Sequence, residues 1–216
     1  MLISEVYEKY GIPEILRNHM YNVAAVASIV ADSISSDVSI DKELIIKTCL
    51  IHDMGNILKI PLENNKLINA DEVEELRKVK DLFITKYGND EHAATQKILS
   101  EIGVSSEVAE TYNHLGSSKI QKTIESSDWN VKICSYSDFR VSPSGVVGVS
   151  ERFEDIIERY RGRDHALSNI ERTMKKKDLA LQLESQIQNK CGFDLGTLNN
   201  EDIQKVLESI RSCIIA

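Results

Sequence analysis

Chain breakers are scarce in this sequence: of 216 residues only 10 are glycine and 3 are proline. A sandwich or barrel of many short strands needs turn formers at every reversal, and that supply is missing, so the chain is held to long helices. The apolar spacing agrees. After Gly11 and Pro13, residues Ile12, Leu16, Val23, Val26 and Val30 recur at steps of three, four and seven, which is one helical face. DKELIIKTCLIHDMG follows, with Asp41 or Ser39 as N-cap and Gly55 as its stop. A polar loop, PLENNKLINA, leads to a charged helix from Asp71 to Tyr87 that ends at Gly88. Asn89 or Asp90 caps EHAATQKILSEIG, and Ser105 caps SEVAETYNHLG. DWNVKICSYSDFRV reads as a helix stopped near Pro143, two more amphipathic helices occupy residues 150–190, and a last one occupies 199–215. The expected fold class is all-α. The loop SPSGVVG gathers one proline, two glycines and two serines, and marks the expected boundary. It divides a helical domain, residues 1–145, from C-terminal helices, residues 146–216, that pack on it or form a homodimer interface.

A net charge of −8 argues against holding nucleic acid by its backbone, which needs clustered Lys and Arg. It leaves room for a small anionic substrate held by a few cations or metal ions. The run MKKKD, Met174 to Asp178, is too short for nucleic acid and reads as one exposed helical turn. Cys49, Cys134, Cys191 and Cys213 form no CxxC pair, so a zinc knuckle is not expected, and free thiols in apolar patterns suit a reducing cytoplasm. VAAVASIVA is too short to span a bilayer, and the N-terminus has no basic region of a signal peptide, so neither membrane nor export is expected.

Four polar residues sit where apolar ones belong. His19 lies between Leu16 and Val23 on an apolar face, and Asp138 shares a stripe with Val131, Cys134 and Val141. His52 follows Ile45 and Cys49 on the buried side of its helix, and Asp53 lies about 100° further round. Asp53 also sits at a helix C-terminus, whose partial negative charge repels a carboxylate. Taken singly, each has a structural reading: a hydrogen-bonded core histidine, or a carboxylate paired with Arg140 or Arg152. Taken together, they are four metal ligands facing one interior, and a divalent cation would supply the charge Asp53 lacks. His92, in the first turn of its helix, is favoured in the neutral, ligating form, and His114 closes a helix before Gly116. Imidazoles with carboxylates suit one or two ions of Mn, Fe, Co, Ni or Zn, with Mg as a further option, better than Ca. His165 falls outside this order and reads as a surface or capping residue.

In order along the chain, LRNHMYNVAAVASIVAD, CLIHDMGN and ICSYSDFRVSP resemble the H…HD…D pattern of the HD superfamily of metal-dependent phosphohydrolases. The resemblance runs from about residue 12 to 160 and includes YSDFRVSPSGVVGVSERF. It implies an HD-type helical bundle with additional C-terminal helices, and makes His19, His52, Asp53 and Asp138 metal ligands. His92 and His114 fall where some subfamilies carry two histidines for a second metal. The implied activity is hydrolysis of a nucleotide or similar small phosphorylated molecule, with Asp53 bridging or orienting the water. Arg17 and Arg140, with Lys59 and Lys119 behind them, are the candidate holders of the substrate anion. Two departures stand out. HLGSSKIQ after His114 lacks the Gly-Tyr-Pro segment of the cyclic-dinucleotide phosphodiesterases, and Asn56 stands where many members have Lys or an acid. The alternatives are a di-iron oxygenase on the same scaffold, implied by a six-ligand set, and a non-catalytic nucleotide-binding regulator, kept open by Asn56.

Overall fold

The computed structural model describes residues 1–62, 68–69, 71–162 and 168–216. It is all-α among the described residues apart from one minimal hairpin. The helices are α1 (Ile3–Lys9), α2 (Glu14–Ser33), α3 (Lys42–Ile51), α4 (Val73–Tyr87), α5 (Glu91–Ile102) and α6 (Ser106–Asn113). They continue with α7 (Ile120–Glu125), α8 (Trp129–Asp138), α9 (Val149–Tyr160), α10 (Ile170–Gln188) and α11 (Asn200–Arg211). Side-chain caps set several starts: Asp41 accepts from Leu44 N, Asp90 from Ala93 N and Ser105 from Val108 N. Gly88 and Gly103 end α4 and α5 at φ +91° and +79°, where a side chain would be strained.

The expected and observed elements differ in places. α8 stops at Asp138, and the segment read as a loop is a hairpin, β1 (Val141–Ser142) with β2 (Gly145–Val146), pairing Val141 with Val146 and Ser142 with Gly145. Two-residue strands show no alternation, so the sequence carries no pattern for them. α1 and α7 were not read as helices because each is under two full turns of apolar repeat. Part of the PLENNKLINA loop and His165 lie outside the described residues.

α2 is the axis of the fold: it packs on α3, α8 and α11, and Met20, Ala24, Val26, Ala27 and Val30 on it are fully buried. Its small alanines let neighbouring helices approach closely. One hydrophobic cluster joins Ile45, Leu50 and Ile133 of the N-terminal part to Leu183, Ile187, Leu195 and Ile203 of the C-terminal part. α10 packs on α7, α8 and α9, so the C-terminal helices lie over the same core. No described helix is long and apolar enough to cross a membrane.

Candidate metal centre

Three helices deliver four ligand atoms to one point. His19 projects from the second turn of α2, His52 is the C-cap residue of α3 with Asp53 immediately after it, and Asp138 is the last residue of α8. His19 Nε2 lies 3.1 Å from Asp138 Oδ1 and 3.5 Å from Asp53 Oδ2. His52 Nε2 lies 3.5 Å from Asp53 Oδ1 and 3.7 Å from Asp138 Oδ1. Ligand atoms about 2.1 Å from one ion, at tetrahedral or octahedral angles, stand roughly 3.0–3.4 Å apart, which is close to this spacing.

The orientation of His52 decides what the cluster suits. Its Nδ1–H donates to the Cys49 carbonyl at 2.8 Å, which fixes the tautomer and turns the Nε2 lone pair toward the carboxylates. That Nε2 is buried without a hydrogen-bond partner. A lone pair facing two carboxylates is repulsive unless a proton or a metal ion lies between them. Burial opposes a charge on His52, but Asp53 and Asp138 outweigh it and push its pKa up to about 10. Burial likewise disfavours the Asp138 carboxylate, yet His19 and His52 hold it well below the usual carboxylate range. The site therefore demands positive charge, and two imidazoles with two carboxylates fit a divalent transition metal. Even without Asp138, His19, His52 and Asp53 form a group whose ligand atoms lie within 4.8 Å of one another. Asp53 stands just past the end of α3, where the helix carbonyls add to the negative charge.

A turn tied from behind holds Asp53 in place. Gly55 N donates to Thr95 Oγ1 at 2.9 Å, and that hydroxyl donates to the Glu91 carbonyl at 2.9 Å. A Cβ on Gly55 would strike the Glu91 carbonyl oxygen and come within 2.8 Å of Thr95 Oγ1, so glycine is what lets α5 approach.

The remaining expected residues divide. His92 lines the same cavity as His52, Asp53 and Asp138. Burial, then Lys119, hold its pKa below the ordinary imidazole value against Asp90 and Glu91, so it is neutral. Lys119 Nζ donates to its Nε2 at 3.1 Å, which leaves Nδ1–H to face Tyr112 Oη at 2.9 Å. Both ring nitrogens are thus engaged. His114 caps α6, is exposed and does not line the cavity. The second pair of ligands is therefore not assembled with the first. Arg17 and Arg140 correct the expectation of an anion grip. Arg17 turns back to donate to the Ile12 carbonyl at 2.5 Å and the Tyr7 carbonyl at 3.4 Å. Arg140, only 2% exposed, donates to the carbonyls of Val147 (2.6 Å), Leu195 (2.7 Å) and Leu198 (3.2 Å) and to the Tyr136 hydroxyl. It clamps the hairpin to the C-terminal segment.

Other cations line the cleft. The ligands sit where two cavities meet, and the two share Asp53, Asn56, Lys59, Arg152, Arg159 and Tyr160. Arg152 and Arg159 come from α9 and share Asp155, at 3.3 Å and 2.7 Å. Burial lowers the pKa of Arg152 while the charges of Asp138 and Asp53 raise it, so its guanidinium lies within the field of the ligand carboxylates. Their spacing in sequence, Arg152, Ile156 and Arg159 on one stripe, was the available signal. Lys59 pairs with Glu91 at 2.6 Å. Lys176 of α10, from the run read as an exposed turn, completes the wall.

An all-helical chain whose histidines and aspartates converge in the order H…HD…D has the build of a metal-dependent phosphohydrolase-type protein. A family model of the HD domain matches residues 16–128, more than half of the chain. The chain belongs to the HD-domain family. Neither the curated proteins nor the solved structures contain a match to it. Asp138 and the cations of α9 and α10 lie beyond the matched segment.

Proposed function

We propose that this protein is a metal-dependent phosphohydrolase acting on a nucleotide or another small phosphorylated molecule, with His19, His52, Asp53 and Asp138 holding the metal. The observation that carries this reading is the pairing of a carboxylate–imidazole cluster with a surplus of cations in one cleft. Asp53 and Asp138 face the metal position, Glu91 answers Lys59, and Asp155 answers one of Arg152 and Arg159. Among the described residues one guanidinium and Lys176 are left, which suits a phosphorylated ligand.

A bound divalent ion supplies a Lewis acid for the phosphoryl oxygens and a water of lowered pKa. Asp53, common to both cavities, orients the attacking water through its carboxylate. Arg152 and Arg159 hold the phosphoryl oxygens and offset charge that grows in the transition state. Phe139, Phe153 and Ile156 line the cavity and keep bulk water from the reacting group. Every ligand is on or beside a helix, which fixes the geometry before substrate arrives. The oxygenase alternative rested on six ligands, and the described residues bring four together.

The test combines elemental analysis, a thermal melt and a phosphate-release screen on wild type and Asp53→Ala. One divalent ion per chain is expected in wild type and background in the variant. Metal at a hundred times its Kd should stabilise wild type by about 2.7 kcal/mol, roughly 5–11 °C for a chain of this size. Phosphate release should follow the metal. Background metal in both proteins after soaking in Mn or Fe would overturn the reading. Metal and nucleotide binding without turnover would replace hydrolysis with a regulatory role.

A further inference from the structure

The run MKKKD splits three ways. Lys175 is exposed and pairs with Glu171 at 2.8 Å, and Lys177 pairs with Glu154 at 3.1 Å. Lys176, between them, turns into the cavity that holds Asp53 and Asp138 and donates to Ser117 Oγ at 3.0 Å. It is half-buried, and no carboxylate among the described residues pairs with it. Lys59 lines the same cavity, paired with Glu91 at 2.6 Å, and burial, then the charges of Arg172 and Lys59, lower the pKa of Lys176. Such an arrangement costs repulsion that a bound anion removes. Ser117 follows Gly116, whose φ of +117° turns the loop after α6 toward α10. The subsite draws on α10 and the loop after α6, whereas the metal ligands come from α2, α8 and the end of α3.

We propose that Lys176, with Ser117 and Lys59, forms a second anion subsite that takes a phosphoryl group beyond the one at the metal centre, so that substrates with two or more phosphoryl groups are preferred to monophosphates. This rests on the phosphohydrolase reading and specifies its substrate class. Lys176 is a specificity-determining residue. The ammonium contacts the remote phosphoryl oxygens, Ser117 holds it in place, and a monophosphate at the metal leaves the subsite to water.

The probes are AMP and ADP, titrated by calorimetry into the Mn-loaded full-length protein. ADP is expected to bind wild type at least about tenfold more tightly than AMP, the scale of one charge-assisted contact. Lys176→Met should remove about that factor for ADP, leave AMP within about twofold, and Lys176→Arg should restore most of it. Unchanged melting temperature and metal content in Lys176→Met show that the fold is intact. Equal losses for both nucleotides, no loss for either, or no nucleotide binding to wild type would each overturn the subsite. Phosphate release from a simple monoester, measured on the same samples, separates that failure from failure of the phosphohydrolase reading itself. Retained release with indifferent Lys176 sinks only the subsite, and absent release with retained metal sinks hydrolysis.

Discussion

Replacing Arg140 with methionine should unfold this protein more easily while sparing its site. The guanidinium donates to three backbone carbonyls, at 2.6, 2.7 and 3.2 Å, and to the Tyr136 hydroxyl, with the Glu184 carboxylate 3.8 Å away. Charge-assisted hydrogen bonds contribute about 1.5–3 kcal/mol each, but these four share one side chain, so they do not add. The loss of a buried charged partner costs about 3–5 kcal/mol, and methionine recovers part of the apolar contact, which places the change near 4 kcal/mol. For about 200 residues each kcal/mol lowers the melting temperature by roughly 2–4 °C, so a fall of about 8–16 °C is expected. Calorimetric melts give the first readout, and metal content with KM, taken well below the transition, gives the second. Both should match wild type, since Arg140 lines neither cavity that meets at the ligands. An unchanged melt with KM raised tenfold or more would refute the structural role and return Arg140 to the substrate.

Gly55→Ala should cost about 1–3 kcal/mol by overpacking against Glu91 and Thr95, and should weaken metal affinity by shifting Asp53; a melt and a metal titration within error of wild type would show that the turn has slack. His92 adds a pH dependence. It is held neutral when folded, below the ordinary value, whereas the unfolded chain takes up a proton near pH 6.5. Its contribution is therefore present above about pH 6.5 and is lost on acidification through that window. His92→Gln should flatten the fall in stability between pH 7.5 and 5.5 in chemical denaturation; an unchanged slope would mean that His92 titrates equally in both states.

The cluster proposed to hold the metal was the most legible part of the sequence, because a histidine at position 19 or an aspartate at position 138 on an apolar stripe has to answer for its burial. The helical fold was legible through period and caps, and Asp41, Asp90 and Ser105 cap helices as read. The cationic wall of the cleft was not. Arg152, Ile156 and Arg159 share a helical stripe, but Arg152 and Lys176 look like ordinary surface cations until α9 and α10 cross over the candidate ligands, and that crossing is not written locally. Arg140 misled for the converse reason: two residues after Asp138, it has the chemistry of a substrate clamp, but the chain turns there and buries it against Leu195 and Leu198. His92 was read as a ligand through its place in the first turn of α5, yet Lys119, far along the chain, takes the nitrogen that a second metal would need.

The clamp at Arg140 sits at a seam. On one side lie the four candidate metal ligands, His19 through Asp138; on the other lie the cations of α9 and α10, Arg152, Arg159 and Lys176. The ligands all precede those cations in sequence, while Lys59 and Ser117 reach the proposed subsite from the ligand side. Substitution at Lys176 could therefore shift substrate preference while every candidate ligand stays in place, whereas a change at Arg152 or Arg159 would touch the proposed chemistry as well. Selection could tune what such a protein accepts by drift along α10, with the ligand set outside the search.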